Sequence, residues 1–205
     1  MIKILIVEDQ AILRETMEYS INGQSDMEVV GATGNAENSL ELCRTLQPDL
    51  VLMDVVTKDD SNGIAFSAII RKEFPNIKIV IMTGFPEITF ISEAKKADAH
   101  SFIYKDIGKE QLFSVIHNTI AGYSVYPSPS DYPRLAVQLT ETEIAVLRLV
   151  CRGKTREESA KEMGLSEATL GRHITSILDK SGFDNIAQFA IYAVGQGLIL
   201  PGKND

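Results

Sequence analysis

Cysteine is scarce in this chain: it occurs only at Cys43 and Cys151, over a hundred residues apart. There is no CxxC pair and no histidine spacing suited to zinc, which argues against a zinc ribbon or a disulfide-stapled scaffold. Both cysteines fall in helical patterns and are expected to be half-buried fillers. Long apolar runs are also lacking. No stretch approaches the roughly 18 residues of a membrane span, and the first apolar run, Ile4–Val7, meets Glu8-Asp9 at once, the wrong shape for a signal peptide. A cytoplasmic protein is expected. Positive charge is in deficit, with 20 Lys+Arg against 28 Asp+Glu and a net charge of −8. The whole molecule therefore opposes nonspecific attraction to nucleic acid, and any DNA binding must come from a local surface. What remains is ordinary: 205 residues, 44% of them hydrophobic, are enough to bury a core in one or two domains.

Within that composition, Leu50-Val51-Leu52-Met53-Asp54 stands out as an apolar run closed by an acid. A run of this kind predicts a strand buried on both faces, as in a parallel sheet covered by helices. An ionised carboxylate is costly inside a core, so Asp54 is expected at the strand's C-terminal mouth, where open α/β sheets bind ligands. A lone Asp there is more simply a turn cap. Three other apolar strands, however, end in chemically useful residues: Glu8-Asp9 after Ile4–Val7, Thr83 after Ile77–Met82, and Lys105 after Phe102–Tyr104. Thr83 alone could be strand filler, Lys105 a surface lysine and Glu8-Asp9 a solvated loop. Four such ends in register are a different matter.

Periodicity supplies the register. Strands are predicted at Ile2–Val7, Met27–Thr33, Leu50–Met53, Ile77–Met82 and Ser101–Tyr104. They alternate with helices at Ala11–Asn22, from a cap at Asn35 to Leu46, Asn62–Phe74, about Glu87–Ala97, and Lys109–Ala121. Five strands alternating with five helices imply βαβ crossovers and a doubly wound parallel sheet, with its working edge at the strand C-termini. Glu8, Asp9 and Asp54 would repel one another at that edge unless a cation joined them. Hard oxygen ligands open to water suit Mg²⁺ with a bound phosphoryl group. Lys105 offers a compact positive charge to a phosphate oxygen, Thr83 a hydroxyl, and Gly84 room for a ligand near the backbone. The set suits phosphoryl transfer to the Asp54 carboxylate.

Through Val7-Glu8-Asp9, Met53-Asp54, Met82-Thr83-Gly84 and Tyr104-Lys105-Asp106, residues 1–122 resemble the receiver domain of two-component response regulators. The resemblance implies Asp54 as phosphoacceptor and Glu8, Asp9, Asp54 and the Val56 carbonyl as Mg²⁺ ligands. It further implies Thr83 and Lys105 as phosphoryl sensors, and Phe102 as a switch aromatic. It implies a sensor histidine kinase as donor, and a protein that is no enzyme with a separate substrate, though able to hydrolyse its own phosphoryl group slowly. Two stretches depart from the family. Val55–Gly63 is a longer, charged segment beside Asp54, and Asp98 and Ser101 replace usual glycines before the fifth strand. A haloacid-dehalogenase phosphatase would want a second acid two residues after the nucleophile, where this chain has Val56.

Pro127, Pro129 and Pro133 mark residues 123–137 as a linker, and beyond it only helical signals follow. Helices are predicted at Thr140–Arg152, Arg156–Met163, Ser166–Lys180 and about Asn185–Gly195, punctuated by Gly153, Gly164 and Gly182. Thr140 with Glu143 is a capping-box pattern, with Leu139 and Ile144 placed as a staple. The central pair has a helix-turn-helix outline. Through Leu139-Thr140, Glu143, Val146-Leu147, Gly153-Lys154, Ala160, Leu165-Ser166, Thr169, His173, Ile177-Leu178 and Lys180, residues 138 to about 198 of a second domain, 138–205, resemble the LuxR-type DNA-binding domain of NarL/FixJ response regulators. The resemblance implies promoter DNA as a partner, contact with RNA polymerase, and a homodimer formed on phosphorylation. Candidate DNA contacts are Lys154, Arg156, Thr169, Arg172, His173, Thr175 and Lys180. From Leu139 to Asp205 there are eight Lys+Arg against nine Asp+Glu. That weak basic footprint keeps open a second possibility, a phosphorylation-controlled interaction module whose helices no longer read DNA.

Overall fold

The five apolar runs expected as strands pair into one parallel sheet. In the computed structural model, which describes residues 1–128 and 139–201, these are β1 (Ile2–Val7), β2 (Met27–Thr33), β3 (Leu50–Asp54), β6 (Lys78–Thr83) and β7 (Ser101–Tyr104). Their order is β2-β1-β3-β6-β7, and every residue of β3 is buried, as its unbroken apolar sequence requires. The strand order reverses between β1 and β3, where the C-terminal ends open a crevice. Helices α1 (Ala11–Asn22), α2 (Asn38–Leu46), α3 (Gly63–Glu73), α4 (Phe90–Lys96) and α5 (Lys109–Ile120) connect the strands. Met17 and Ile21 from α1 and Leu112, Phe113, Val115 and Ile116 from α5 join Ile4, Ile6, Leu50 and Leu52 in one core cluster.

The segment after Asp54 is folded rather than a plain loop. Val56–Thr57 (β4) and Ser61–Asn62 (β5) pair antiparallel around a tight turn in which Asp59 has φ 62°. The buried Thr57 hydroxyl donates to the Ser61 carbonyl at 3.0 Å and accepts from the Ala36 amide at 3.1 Å. Lys58 N–H donates to the Gly34 carbonyl. The hairpin is thereby tied to the chain entering α2. Asn62 then caps α3, accepting from the Ile64 and Ala65 amides.

The expected Asn35 cap of α2 is corrected. Asn35 accepts instead from the Glu37 amide at 2.8 Å, closing a turn one step earlier, and α2 starts at Asn38 without a side-chain cap. Likewise the helix expected from about Glu87 begins at Phe90. The described residues divide into two compact units, Met1–Gly84 with Phe90–Pro127 and Phe85–Thr89 with Ser128–Asp205, and residues 87–89 belong to the second. There the Ile88 amide donates to the Leu198 carbonyl, and Ile88 joins the helical core. Glu87 is fully buried between Arg148 at 3.2 Å and the Leu200 amide at 2.7 Å.

The second unit is helical: α6 (Glu141–Cys151), α7 (Arg156–Glu162), α8 (Glu167–Ser181) and α9 (Ile186–Gly195). Capping boxes at Thr140/Glu143 and Thr155/Glu158 start the first two, and Ser166 caps α8. Leu139 and Ile144 lie in the same core cluster as Val146, Leu170, Ile174, Ile177 and Phe189. Among the described residues no helix is long and apolar enough to cross a membrane.

One packing constraint is severe. Gly63 N–H donates to the Val55 carbonyl at 2.9 Å, and a Cβ at Gly63 would stand 1.8 Å from the Asp54 carbonyl oxygen. Only glycine allows this approach. Gly63→Ala is expected to destabilise the first unit by roughly 2–4 kcal/mol. A thermal melt like the wild type's would show that the backbone at Asp54 can move aside at little cost.

Candidate functional site

Glu8 follows β1, Asp54 ends β3, Thr83 ends β6 and Lys105 follows β7. Register carries them to one edge: Val7 is opposite Met53, Asp54 opposite Met82, and Thr83 opposite Tyr104. Glu8 and Thr83 are fully buried, Asp54 nearly so, and Asp9 is exposed. Carboxylate oxygens of Glu8, Asp9 and Asp54 lie within 4.8 Å of one another. The Lys105 ammonium stands 2.7 Å from Asp54 Oδ2 and 2.7 Å from Glu8 Oε2. Its amide donates to the Thr83 carbonyl at 2.8 Å, which fixes where the side chain starts. The four strand ends read from sequence thus converge. Val56, expected to lend its carbonyl, opens the hairpin two residues beyond Asp54.

Three carboxylates face one ammonium, which is half-buried and in contact with two of them, so negative charge is in excess. Burial pushes the Asp54 carboxyl up to about 7; Lys105 opposes this without prevailing, and Glu8 and Asp9 add to it. Burial alone would lower Lys105, but Asp54 and Glu8 together outweigh it and the ammonium is held above its ordinary value. This donor set suits a hard divalent cation: anionic oxygens, one exposed member, and charge still to be neutralised. Arg14, which the motif comparison passed over, lies on α1 and donates to the Glu8 carbonyl at 2.6 Å and more weakly to the Asp9 carbonyl at 3.4 Å. It pins the backbone that carries the two acids. A basic residue one turn into the helix after an acidic pair was its signal.

Phe102 is buried, with 1% exposure. Its ring meets Tyr104 edge-on at 5.6 Å and lies nearly parallel to Tyr126 at 6.5 Å.

In the helical unit, Ala168, Arg172, Thr175 and Asp179 are exposed at helical spacing and form the outward face of α8. Arg172 is the one cation of these four. Thr169 and His173 flank that face half-buried, with the Thr169 hydroxyl 2.9 Å from that of Ser166. Thr175 donates back to the Gly171 carbonyl. Lys154 and Arg156 are exposed near the start of α7, Lys154 lying 3.8 Å from Glu162. Lys180 departs from expectation. Its ammonium contacts both oxygens of Glu143, at 2.8 and 2.6 Å, and Glu143 also accepts from Ser176 at 2.6 Å. Burial would raise the Glu143 carboxyl, but these bonds and those from Thr140 bring it down to about 2. Lys180 therefore ties α8 to the capping box of α6.

Comparison with known proteins agrees with this geometry. Residues 4–117 match the response regulator receiver domain, and residues 137–193 match the bacterial regulatory proteins of the luxR family. The chain is 30% identical to the response regulator protein VraR of Staphylococcus aureus (strain NCTC 8325 / PS 47), over 97% of this chain and 99% of that one. It is 27% identical to the transcriptional regulatory protein LnrK of Bacillus subtilis (strain 168), again over 97% and 99%. Its fold resembles that of RcsB in a structure of two RcsB dimers bound to two parallel DNAs, with TM-score 0.69 and 20% identity over 94% of this chain and 98% of that one.

The raised Asp54 carboxyl has a consequence for stability. Its value is 3.8 unfolded and about 7 folded, so the folded state holds the proton more tightly. The resulting stabilisation is complete below 3.8 and is lost as pH rises through 7, an effect of at most roughly 4 kcal/mol. Asp54→Asn carries no such charge. In EDTA its melting temperature is expected to exceed the wild type's by several degrees more at pH 8 than at pH 5, with Mg²⁺ narrowing the gap. A gap independent of pH between those values would contradict the assignment of buried, uncompensated charge to Asp54.

Proposed function

The chain belongs to the response regulators that join a receiver domain to a luxR-family DNA-binding domain, and on that premise we propose that Asp54 is its phosphoacceptor. The observation that carries this is the single Lys105 ammonium held between Asp54 and Glu8 at 2.7 Å from each. An Asp54 carboxylate oxygen attacks the phosphorus of a sensor histidine kinase's phosphohistidine. The O–P bond forms, the N–P bond breaks, and the imidazole departs with the electron pair and takes up a proton. Glu8, Asp9, Asp54 and the Val56 carbonyl would hold Mg²⁺, which when bound neutralises charge on the transferring group. Lys105 turns from the carboxylates to a phosphoryl oxygen, and the Thr83 hydroxyl meets another. The acceptor is the protein itself, with no separate substrate, in a regulator that works in the cytoplasm.

The new dianion favours an altered arrangement of Thr83, Lys105 and Phe102, and with it a homodimer. The dimer presents two copies of α8 to promoter DNA and so bears on RNA polymerase. Residues 1–122 serve as receiver, 123–137 as linker and 138–205 as reader; of the linker, residues 129–137 lie outside those described. Arg172 reads a base edge while Lys154, Arg156, Thr169, His173 and Thr175 support the contact with the backbone. A second reading, an interaction module, draws on the outward face of α8, where Arg172 stands without another cation among Ala168, Thr175 and Asp179.

Two measurements test these readings. A small phosphodonor with Mg²⁺ is expected to add one acid-labile phosphoryl group to the wild type by intact-mass spectrometry and none to Asp54→Asn; equal labelling of both would remove Asp54 from its role. In the helical unit, Arg172→Ala is expected to lose most sequence preference, about 1–3 kcal/mol, with an unchanged melting temperature. Lys180→Ala is instead expected to lower helical-unit stability by roughly 2–3 kcal/mol by stranding Glu143. If Arg172→Ala kept its operator preference, or the wild type bound no DNA at low salt in either phosphorylation state, the interaction-module reading would take its place.

A further inference from the structure

β7 is the edge of the sheet, paired on one side with β6. Its other side is not left open, because the start of the proline-containing segment lies along it. At Gly122 (φ +93°) the chain turns back from α5. The Phe102 amide then donates to the Val125 carbonyl at 2.8 Å, and the Val125 amide donates to Ser101 Oγ at 3.0 Å. Ser101 is buried and shares a 2.7 Å hydrogen bond with Thr119 of α5. The Tyr126 hydroxyl donates to the Ala99 carbonyl at 2.7 Å, its ring stacks on Phe102, and the Lys95 ammonium of α4 sits 5.2 Å from its centre. A segment that composition marks as linker is here bound by backbone, hydroxyl, aromatic and cationic contacts at once. Each is individually modest, roughly 0.5–1.5 kcal/mol, so the segment is held and yet releasable.

The residues it grips lead directly to the site. Phe102, on β7, is three residues before Lys105, which directly follows that strand, and on the proposed function Lys105 turns from Asp54 and Glu8 to the arriving phosphoryl group. We propose that Val125–Tyr126 is a strap whose binding to β7 and phosphorylation of Asp54 oppose each other: the strap holds β7 where Lys105 reaches Glu8, and the phosphorylated arrangement lets the strap go. Release uncovers the β7 edge and frees residues 123–127 from it. This rests on Asp54 being the phosphoacceptor.

Opposition between two events is reciprocal in free energy, so weakening the strap must strengthen phosphoryl-mimic binding. Beryllofluoride with Mg²⁺ is the probe, on the full chain. Hydrogen exchange at the Phe102 and Val125 amides is expected to accelerate at least tenfold on saturation. Tyr126→Ala is expected to bind beryllofluoride three- to tenfold more tightly than the wild type, and Tyr126→Phe, which keeps the ring, less so. Tyr123→Ala, at an exposed ring (69%), is the matched control and is expected to bind as the wild type does. Unchanged exchange at both amides with wild-type affinity in Tyr126→Ala, in a chain that does bind the probe at Asp54, would overturn the strap and leave the site intact. Failure of the wild type to bind the probe would overturn the site and the strap with it.

Discussion

One ammonium between two buried carboxylates is the constraint on which the rest of the first unit depends. Lys105 can reach Glu8 and Asp54 together only because β1, β3, β6 and β7 end level, and they end level because the parallel register Val7/Met53, Asp54/Met82 and Thr83/Tyr104 runs unbroken across these four strands. The apolar runs that set this register are therefore also what bring the charges together. With Asp9 included the site carries more negative charge than Lys105 can balance, and burial denies it the help of water. An arrangement of this kind is unstable toward anything that brings positive charge in or lets Lys105 out. That is a useful property for a switch and a poor one for a structural salt bridge.

The neighbouring backbone is correspondingly rigid. Gly63 is pressed against the Asp54 carbonyl, Arg14 holds the carbonyls of Glu8 and Asp9, and the Thr57 hydroxyl fastens the hairpin to the entrance of α2. The backbone of the acidic edge is thus held at three places.

What sequence made legible was whatever depends on period and on chain order. Leu50–Asp54 could be recognised because a strand buried on both faces leaves an unbroken apolar run, and the strand ends followed from the alternation of elements. Thr140/Glu143, Ser166 and Gly164 were legible because caps and turns are local chemistry. Long-range pairings that no period records were not legible. Lys180 looks like a basic residue on a recognition helix, and nothing local says that Glu143, 37 positions earlier, takes its charge. Glu87 looks like the start of a helix, yet Arg148 and the Leu200 amide claim its carboxylate. Val125 and Tyr126 look like linker because proline and serine surround them, while their partners at Ala99, Ser101 and Phe102 lie over twenty residues back.

The same distinction bears on the helical unit. With Lys180 engaged by Glu143, the exposed cations among the proposed DNA contacts are Arg172, Lys154 and Arg156, and Lys154 has Glu162 nearby. Affinity for DNA rises with the number of phosphates neutralised, and so few contacts give one copy a weak, salt-sensitive hold. Two copies joined on adjacent half-sites multiply that hold through effective concentration without a new contact. On the proposed function, a reader this poor in charge gains most of its hold from assembly. Converting a population from 1:99 to 99:1 takes about 5.5 kcal/mol of preference for one state. Burial pushes the Asp54 carboxyl from 3.8 up to about 7, which corresponds to roughly 4 kcal/mol between its protonated and ionised forms at this edge. Roughly 4 falls short of about 5.5 kcal/mol, so on the proposed function a phosphoryl dianion at the same place has to be joined by contacts made in the dimer itself to carry the population across.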